Sequence, residues 1–295
     1  MKILNYGSLN LDYFFNVNHI VRPGETILAT AFEIQCGGKG LNQSVALAKA
    51  EAQVYHAGKI GVDGAGLIRE LKQAGVNTDH VAQDDHILSG NAIIQIDGAG
   101  QNSIILYGGA NQTLQTQEIE EVFRHFDAGD YLVLQNEINL TDQIIVKARG
   151  KGMKIFINLA PMNDAANDYP LCLTDCIMIN EIEGEGLTGQ TDPGKMLDAA
   201  MQLYPDTAVL LTLGAEGALY QEKGDRIFQP IYNVPVVNTT GAGDTFCGYF
   251  IAALSRGQSA KAAMDLAARA SAITVSRHGS AASIPTLQEV STFIR

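Results

Sequence analysis

The ten residues from Val237 to Phe246, VNTTGAGDTF, place three small residues directly before one acid, Asp244. The next stretch, Thr245–Leu254, is apolar and predicts a helix, so the small residues fall at a helix start. There, backbone N–H groups have no partner within the helix and the dipole favours negative charge, which predicts a phosphate site at Gly241–Gly243. An acid beside a phosphate repels it, unless the acid accepts a proton from an attacking hydroxyl. A tight turn in which Asp244 only caps the helix is the alternative that this stretch alone leaves open.

Composition and charge restrict the class of protein. The chain has 295 residues, of which 46% are hydrophobic, enough for a large globular core. A net charge of −12 argues against a nucleic-acid or anionic-membrane partner, without excluding ATP, because phosphate sites are local. The chain shows neither the apolar core of a signal peptide nor an apolar run long enough to cross a bilayer, so we expect a cytoplasmic protein. Its four cysteines lack a Cys-x-x-Cys pair and are expected to be free thiols: Cys36, Cys172, Cys176 and Cys247.

Apolar strand-like segments alternate with helix-like segments over most of the chain. Near-continuous apolar strands separated by helices predict an α/β fold whose mostly parallel sheet is covered on both faces. In such sheets, ligands bind at the carboxyl ends of the strands. The predicted strands are 3–6, 131–134, 154–157, 176–179 and 208–212, and the predicted helices include 41–50, 67–74 and 142–148.

Two segments, 11–35 and 91–107, break this alternation. The first contains strand-like residues 13–17, a Pro23-Gly24 turn and a second strand-like run, 26–34. The second reads as a hairpin around a glycine-rich turn, 97–100. We predict either a small β-sheet lid over the strand ends or two additional edge strands of the main sheet. With the lid, residues 1–10, 36–90 and 108–295 form the core, and the apolar face of the lid makes a homodimer plausible on physical grounds.

Two polar segments near the N-terminus are candidates for ligand binding. Asn10 and Asp12 follow the first strand and point the same way on extended backbone, which suits adjacent sugar hydroxyls. An Asx turn is the structural alternative. In the segment CGGKGLNQ (36–43), glycines allow close approach of a ligand while Lys39 and Asn42 supply donors. The spacing differs from that of a Walker A loop, and a glycine-rich turn with an exposed lysine is the alternative.

Two further polar segments follow strands in the C-terminal half. Asn180 and Glu183 are three residues apart, and together they suit Mg²⁺ that keeps part of its water shell. A capped, solvated helix start is the alternative. The segment LTLGAEG (211–217) is a glycine turn after a strand and is a weak signal by itself.

The order of these segments resembles that of the ribokinase-like (PfkB) carbohydrate kinases from Gly7 to about Pro285. Among members, the chain most resembles those that phosphorylate ribose. The resemblance implies a three-layer sandwich with a β lid that also forms a dimer interface. It implies ATP-dependent phosphorylation of a sugar hydroxyl, with D-ribose to ribose 5-phosphate as the expected reaction. Kinases of a nucleoside, deoxyribose, fructose or a keto-deoxy sugar acid, and a non-catalytic sugar or nucleotide sensor, remain alternatives.

The same resemblance implies a role for each matching residue. Asp244 is expected to act as the base, and the amides of Gly241, Ala242 and Gly243 as the anion hole. The implied sugar-binding residues are Asn10, Asp12, Gly38, Lys39, Asn42, Glu137 and Asp244. The implied ATP-binding residues are Asn180, Thr212, Gly214, Gly217 and Gly243. Mg²⁺ is expected at Asn180 and Glu183 through water.

Three positions depart from the family pattern. Asn238 stands where an Asp that helps to bind a monovalent cation is usual, so K⁺ at Asn238, Thr240 and Gly279 is doubtful. Ala268 stands where an Asn near the adenine is frequent, which weakens the nucleotide assignment. Glu51 stands where a helix-ending Gly is common, and we expect only a local change in the loop.

Overall fold

The computed structural model describes residues 1–293, with the side chain of Ala165 excepted. Its strands are β1 (Ile3–Tyr6), β2 (Asn10–Asn16), β3 (Ala31–Gly37), β4 (Val54–Ile60), β5 (Asn77–Gln83), β6 (Gly90–Ile96), β7 (Asn102–Tyr107), β8 (Tyr131–Gln135), β9 (Lys154–Asn158), β10 (Cys176–Asn180), β11 (Ala208–Thr212), β12 (Ala218–Glu222) and β13 (Asp225–Gln229). Its α-helices are α1 (Lys39–Lys49), α2 (Ala65–Gln73), α3 (Thr116–Phe123), α4 (Thr141–Gly150), α5 (Glu181–Thr188), α6 (Pro193–Leu203), α7 (Ala242–Ser255), α8 (Ala260–Val275) and α9 (Leu287–Thr292).

Within residues 1–293, nine strands form the central sheet, in the order β13-β12-β11-β10-β9-β8-β1-β4-β5. The strands from β11 to β5 in this order are parallel, and β12 and β13 extend one edge as an antiparallel pair. The predicted α/β class with a mostly parallel sheet is therefore confirmed.

Helices cover both faces of this sheet, because alternate strand residues enter two different cores. On β8, Val133 joins the core that contains α1, α2, α7 and α8, whereas Leu132 and Leu134 join the core that contains α3, α4 and α6. The result is the predicted three-layer sandwich. It brings the carboxyl ends of the strands and several helix starts to one edge of the molecule.

A second sheet of four strands has the order β3-β2-β6-β7. It is separate from the central sheet, so the alternative of additional edge strands is wrong. Asn10 and Asp12 lie on one face of β2. Cross-strand register places Ile34, Tyr13, Ile93 and Ile105 in one row on the opposite face. The exact boundaries given above for core and lid stay a prediction.

One predicted strand is displaced. Residues 26–34 were expected to be extended, but β3 begins at Ala31 and runs to Gly37. Its partner β2 ends at Asn16, which pairs with Ala31 and also accepts from the Thr30 N–H, so the ladder between the two strands ends there. Leu28 is correspondingly 88% exposed.

Candidate active site

A cavity of about 240 Å³ lies where the carboxyl ends of β9, β10 and β11 meet the starts of α1, α5 and α7. Such an edge is where open parallel sheets bind ligands. The cavity is lined by Lys39, Asn158, Ala160, Met178, Ile179, Asn180, Glu183, Thr212, Thr239, Gly241, Gly243, Asp244 and Cys247. Segments that are far apart in the sequence thus meet at one site.

The start of α7 forms one wall of the cavity. Gly241 precedes the helix with a φ of 77°, a left-handed conformation that favours glycine. At Gly243, a Cβ would have no atom within 4 Å, so the backbone is open to a ligand. The Ala242 N–H already donates to the carbonyl of Thr239 at 3.2 Å. Because α7 points its positive end at the cavity, this wall suits a phosphate group.

Asp244 lies inside α7 rather than at its cap, since Gly241 occupies the cap position. Its side chain is 7% exposed, and both carboxylate oxygens accept hydrogen bonds from α1. Asn42 Nδ2 donates to Oδ2 at 3.1 Å, and Gln43 Nε2 donates to Oδ1 at 3.0 Å. The interpretation of Asp244 as an ordinary helix cap is wrong, because the carboxylate is held by side chains of another helix. Gln43 lies in the glycine-rich segment 36–43, but no role was expected for it from the sequence.

A second group of polar residues lies at the junction with the small sheet. Asn10 is buried, and its Oδ1 accepts from Asn111 Nδ2 at 2.7 Å. Glu137 Oε2 accepts from the Lys39 N–H at 3.0 Å and, in a short bond, from the Ser8 hydroxyl. Neither Ser8 nor Asn111 was expected at the site.

Gly38 connects β3 to α1 and lies beside Ser8 and Asn10. Its φ is +90°, and a Cβ there would lie 3.1–3.2 Å from Ser8 and Asn10. Glycine at this position therefore allows α1 to start against the first residues of β2. The Asp12 side chain lies against the end of β3, since a Cβ on Gly37 would fall 2.0 Å from Asp12 Oδ2.

Four carboxylates and one ammonium group share this region. Burial, with the nearby charges of Glu137 and Asp244, raises the pKa of Asp12 to about 7. Burial also raises the pKa of Glu137, against the opposing effects of Lys39 and the Ser8 hydroxyl. Desolvation disfavours the charged form of Lys39, but Asp244, Glu137 and Glu183 outweigh it and raise the pKa of Lys39. Lys39 is thus charged at neutral pH and partly compensates the acids around it.

The start of α5 is a capping box. Asn180 Oδ1 accepts from the N–H groups of Ile182 and Glu183, and Glu183 Oε2 accepts from the Asn180 N–H at 2.7 Å. The capped helix start given as the alternative is therefore present, but it is not solvated throughout, since Glu183 is only 6% exposed. Both residues also line the cavity, so the capping role and a ligand role are compatible.

The turn after β11 contributes less to the cavity than expected. Thr212 lines it, whereas Gly214 and Gly217 are not among the lining residues. Gly217 has a structural reason to be glycine: its φ is +122°, and a Cβ would lie 2.2 Å from the Gln229 carbonyl oxygen. Ala268 lies on α8 and is buried in the core that this helix shares with α7.

The residues proposed for Mg²⁺ and the residue Asn238, proposed for a monovalent cation, differ in how well they suit these ions. Among residues 1–293, no group of three or more His, Cys, Asp or Glu side chains is arranged to hold a metal ion. Asn180 and Glu183 fit Mg²⁺ that is held through water and substrate phosphates, because such sites need few protein ligands. Asn238 fits a monovalent cation poorly, since its Oδ1 already accepts from the Thr240 N–H at 2.8 Å.

The cavity also contains residues that were not assigned a role. Asn158 Nδ2 donates to Cys247 Sγ at 3.6 Å, and burial raises the pKa of that thiol to about 12. Cys247 is therefore a neutral, apolar part of the wall rather than a nucleophile. All four cysteines are free, as expected.

Comparison with known proteins agrees with this geometry. Residues 1–287 match the pfkB family of carbohydrate kinases. The chain belongs to this family. It is 34% identical to the ribokinase of Staphylococcus aureus (strain COL), with 98% of each chain covered, and 32% identical to the deoxyribokinase of Salmonella typhi, with 100% of this chain and 99% of the relative covered.

A solved structure extends the similarity to three dimensions. The ribokinase of Arabidopsis thaliana, described in complex with ribose and ATP, superposes with a TM-score of 0.86 at 29% identity, with 98% of this chain and 96% of that chain covered. The protein is thus a carbohydrate kinase of the pfkB family with the ribokinase fold. Among the residues that the structure describes, no helix is long and apolar enough to cross a membrane.

Proposed function

We propose that this carbohydrate kinase transfers the γ-phosphoryl group of ATP to the 5-hydroxyl of D-ribose. The observation that carries the proposal is the position of Asp244, which lies in the cavity wall next to the open start of α7. This position supports the proposal because one acid lies beside both the start of α7, which suits phosphate, and the polar side chains that we assign to the sugar. The relatives named for ribose and deoxyribose support the substrate class.

The residues divide between the two substrates. We assign the sugar to Asn10, Asp12, Gly38, Lys39, Asn42, Glu137 and Asp244. We assign ATP to the start of α7 with Asn180 and Thr212, and extend the nucleotide toward the turn at Gly214 and Gly217. Asp244 and Gly243 then lie where the two substrates meet.

In the transfer step, the Asp244 carboxylate accepts the proton of the sugar hydroxyl while that oxygen forms a bond to the γ-phosphorus. The bond from the γ-phosphorus to the bridging oxygen breaks, and ADP leaves with both electrons of that bond. The N–H groups of Gly241 and Gly243, and the positive end of α7, stabilise the transferred group. Lys39 compensates negative charge that collects near Asp244 and Glu137.

Mg²⁺, when bound at Asn180 and Glu183 through water, supplies positive charge to the phosphates. Asn180 and Glu183 hold each other in the capping box, so their orientation is set before substrates bind. The small sheet excludes water, which would otherwise compete with the sugar as acceptor.

Two properties of the whole protein belong to the same proposal. We propose a homodimer that buries the outer face of the small sheet, where Phe32, Ile34, Ile93, Ile105 and Tyr107 are 42–62% exposed. We also propose that the kinase acts in the cytoplasm, where ATP and free thiols are both expected.

A coupled assay of ADP release across a panel of acceptors tests the substrate. The panel contains D-ribose, 2-deoxyribose, fructose, a nucleoside and a keto-deoxy sugar acid at matched concentrations. We expect the highest kcat/KM with D-ribose. A higher kcat/KM with 2-deoxyribose or a nucleoside would identify that acceptor as the substrate instead of ribose. The absence of ADP release with every acceptor would support a sensor instead of a kinase.

A further inference from the structure

A chain of buried hydrogen bonds runs from Asp244 into the centre of the sheet. Gln43 Nε2 donates to Asp244 Oδ1 at 3.0 Å, and Gln135 Nε2 donates to Gln43 Oε1 at 2.8 Å. The same Gln135 nitrogen donates to Asn5 Oδ1 at 2.9 Å. Gln43, Gln135 and Asn5 are fully buried, so these bonds are shielded from water. The mechanism above uses none of these three side chains.

The far branch of this chain ends on the backbone. Asn5 Nδ2 donates to Ser44 Oγ at 2.8 Å and to the Gly40 carbonyl at 2.7 Å. His56 Nε2 lies 3.3 Å from the Gly7 carbonyl, which can only accept, so the imidazole proton is on Nε2 and Ser44 Oγ donates to His56 Nδ1 at 2.8 Å. Burial lowers the pKa of His56 to about 4, so the ring is neutral at physiological pH. The donor and the acceptor of each hydrogen bond in this branch are therefore defined, and the branch ends on backbone carbonyl groups.

Gln135 sets the orientation of the amides next to it. The hydrogen bonds to Asn5 and Gln43 both leave from Gln135 Nε2 and end on amide carbonyl oxygens. In a flipped Gln135 amide, Oε1 would face these two acceptors and no hydrogen bond could form with either. The amide of Gln43 is held with its oxygen toward Gln135 and its nitrogen toward Asp244. Gln135 Oε1 is buried and has no hydrogen-bond partner in the part of the chain that the structure describes; it lies 2.2 Å from where a Cβ on Gly7 would fall. Gln135 thus donates from Nε2 to Asn5 and Gln43, while its own acceptor, Oε1, stays unsatisfied.

We propose that Gln43, held by Gln135, is a positioning residue that aims the Asp244 carboxylate at the sugar hydroxyl, a role that rests on the proposed function of Asp244. Asn42 fixes the second carboxylate oxygen from the same helix, so the two donors together define the plane of the carboxylate. Proton transfer needs this geometry, because a base must lie within hydrogen-bond reach of the proton that it accepts. Gln43 and Gln135 act through Asp244, without contact to the reacting atoms.

The test compares kcat and KM for ribose in four variants. Gln43→Met removes the donor to Asp244 with little change in volume and is expected to lower kcat by about 10- to 100-fold, the effect of one lost hydrogen bond to a charged group. KM for ribose is expected to change by less than about 3-fold, because the sugar-binding residues are untouched. Gln43→Glu lowers kcat at least as much, since the two carboxyls either share a proton or repel each other. Gln135→Met has a smaller effect in the same direction.

Gln221→Met is the matched control. Gln221 is a buried glutamine on β12 that accepts from Arg226, far along the sheet, and its replacement is expected to lower Tm without lowering kcat. A purely structural role of Gln43 predicts the same pattern for Gln43→Met: a lower Tm with unchanged kcat. That result would overturn the proposal. If Gln43→Met does not fold, kcat and Tm of Gln135→Met and Gln43→Glu provide the test, and an unchanged kcat with a lower Tm would again overturn the proposal.

Asp244→Asn, measured in parallel, separates this proposal from the function on which it rests. Loss of turnover in Asp244→Asn with normal kcat in Gln43→Met refutes only the positioning role. Normal turnover in Asp244→Asn refutes the proposed function of Asp244 itself. Loss of kcat in both variants, with KM for ribose preserved in Gln43→Met, supports the proposal.

Discussion

At the scale of single residues, the site concentrates acids around one cation. The charges of Glu137 and Asp244 raise the pKa of Asp12. Lys39 is the cation that interacts with Glu137 and Asp244. Buried like charges are costly unless they are paired. These acids therefore lower the stability of the unliganded enzyme, at the positions that we propose to bind the sugar.

Asp12→Asn tests this cost. The pKa of Asp12 rises from 3.8 in the unfolded chain to about 7 in the folded one, so between these values the folded state holds a proton that the unfolded state has lost. The destabilisation is absent below pH 4, grows as the pH rises, and is complete above pH 7. We expect Asp12→Asn to raise the free energy of unfolding by about 1–3 kcal/mol at pH 8 and to leave it unchanged at pH 4. Urea unfolding of the unliganded protein at both pH values measures this difference.

The same substitution should weaken sugar binding. An amide replaces a charged acceptor, and the KM for ribose is expected to rise by about 10- to 100-fold. Asp225→Asn, at an exposed position on the edge strand β13, is the control and should alter neither stability nor KM. An Asp12→Asn variant that is less stable at pH 8, or that keeps the wild-type KM, would contradict this account of the site.

Asn238 gives a second prediction at this scale. Its amide offers a dipole where a carboxylate offers a full charge, and its oxygen is engaged by Thr240. We expect weak dependence on potassium in the wild type, and Asn238→Asp should raise the ratio of activity in potassium to activity in sodium by about 10-fold. Activity in sodium, potassium and caesium buffers of equal ionic strength provides the measurement, with Asn238→Ser as a variant that keeps a turn-forming side chain. Strong potassium activation of the wild type, unaltered in Asn238→Asp, would show that no carboxylate is needed.

At the scale of elements, the end of α1 departs from the usual chemistry of helix ends. Glu51 has a φ of 63°, the Glu51 N–H donates to Ala48, and the Ala52 N–H donates to Leu47. This is a Schellman ending, in which the left-handed position is usually glycine. A side chain with a Cβ costs energy there that glycine does not.

Glu51→Gly should therefore stabilise the protein by about 1 kcal/mol, after the larger entropy of the unfolded glycine is taken into account. Thermal or urea unfolding measures the change. Glu70→Gly, in the middle of α2, is the matched control and should destabilise by about 1 kcal/mol. A destabilised Glu51→Gly variant would mean that the Glu51 side chain makes a contribution larger than the strain of its backbone.

Elements of regular pattern were predictable from the sequence, and elements defined by a partner were not. The apolar strands β8–β11 lie where predicted, because burial on both faces leaves a continuous apolar run. The start of β3 was not predictable, since it depends on where β2 ends. Likewise, the pattern around Asp244 predicted a phosphate site but left the role of its acid open, because Asn42 and Gln43, which hold it, are about 200 residues away in the sequence. For the same reason, the sequence did not decide whether these strands form a separate lid or extend the edge of the central sheet.

At the scale of the whole molecule, the small sheet has two different faces. One carries Asn10 and Asp12, and the other carries an apolar row across all four strands. Tyr13 and Phe15 pack against Phe32 on that apolar face, with ring centroids 6.3 and 4.9 Å apart. A sheet that serves a polar site on one side and exposes an apolar surface on the other is suited to pair with a second copy.

Ile105→Glu tests the proposed dimer. Ile105 is 62% exposed in the apolar row, and a charge there would be buried opposite its symmetry mate. We expect the wild type to sediment as a dimer and Ile105→Glu to sediment as a monomer at the same concentration. Ile104→Glu is the matched control, because Ile104 is 55% exposed on the opposite face of the same strand. A monomeric wild type, or an Ile105→Glu variant that stays dimeric, would rule out this interface.

In the proposed reaction, Asp244 at the start of α7 accepts the proton during phosphoryl transfer to the ribose 5-hydroxyl. The most direct measurement follows ribose and ATP by ³¹P NMR with the wild type and with Asp244→Asn, alongside calorimetry of ribose binding to both. We predict ribose 5-phosphate and ADP in equal amounts from the wild type. For Asp244→Asn we predict a turnover lower by about 10²- to 10⁴-fold, as for the loss of a general base, with ribose binding largely retained. Near wild-type turnover by Asp244→Asn, or ATP consumed without formation of a sugar phosphate, would contradict the account.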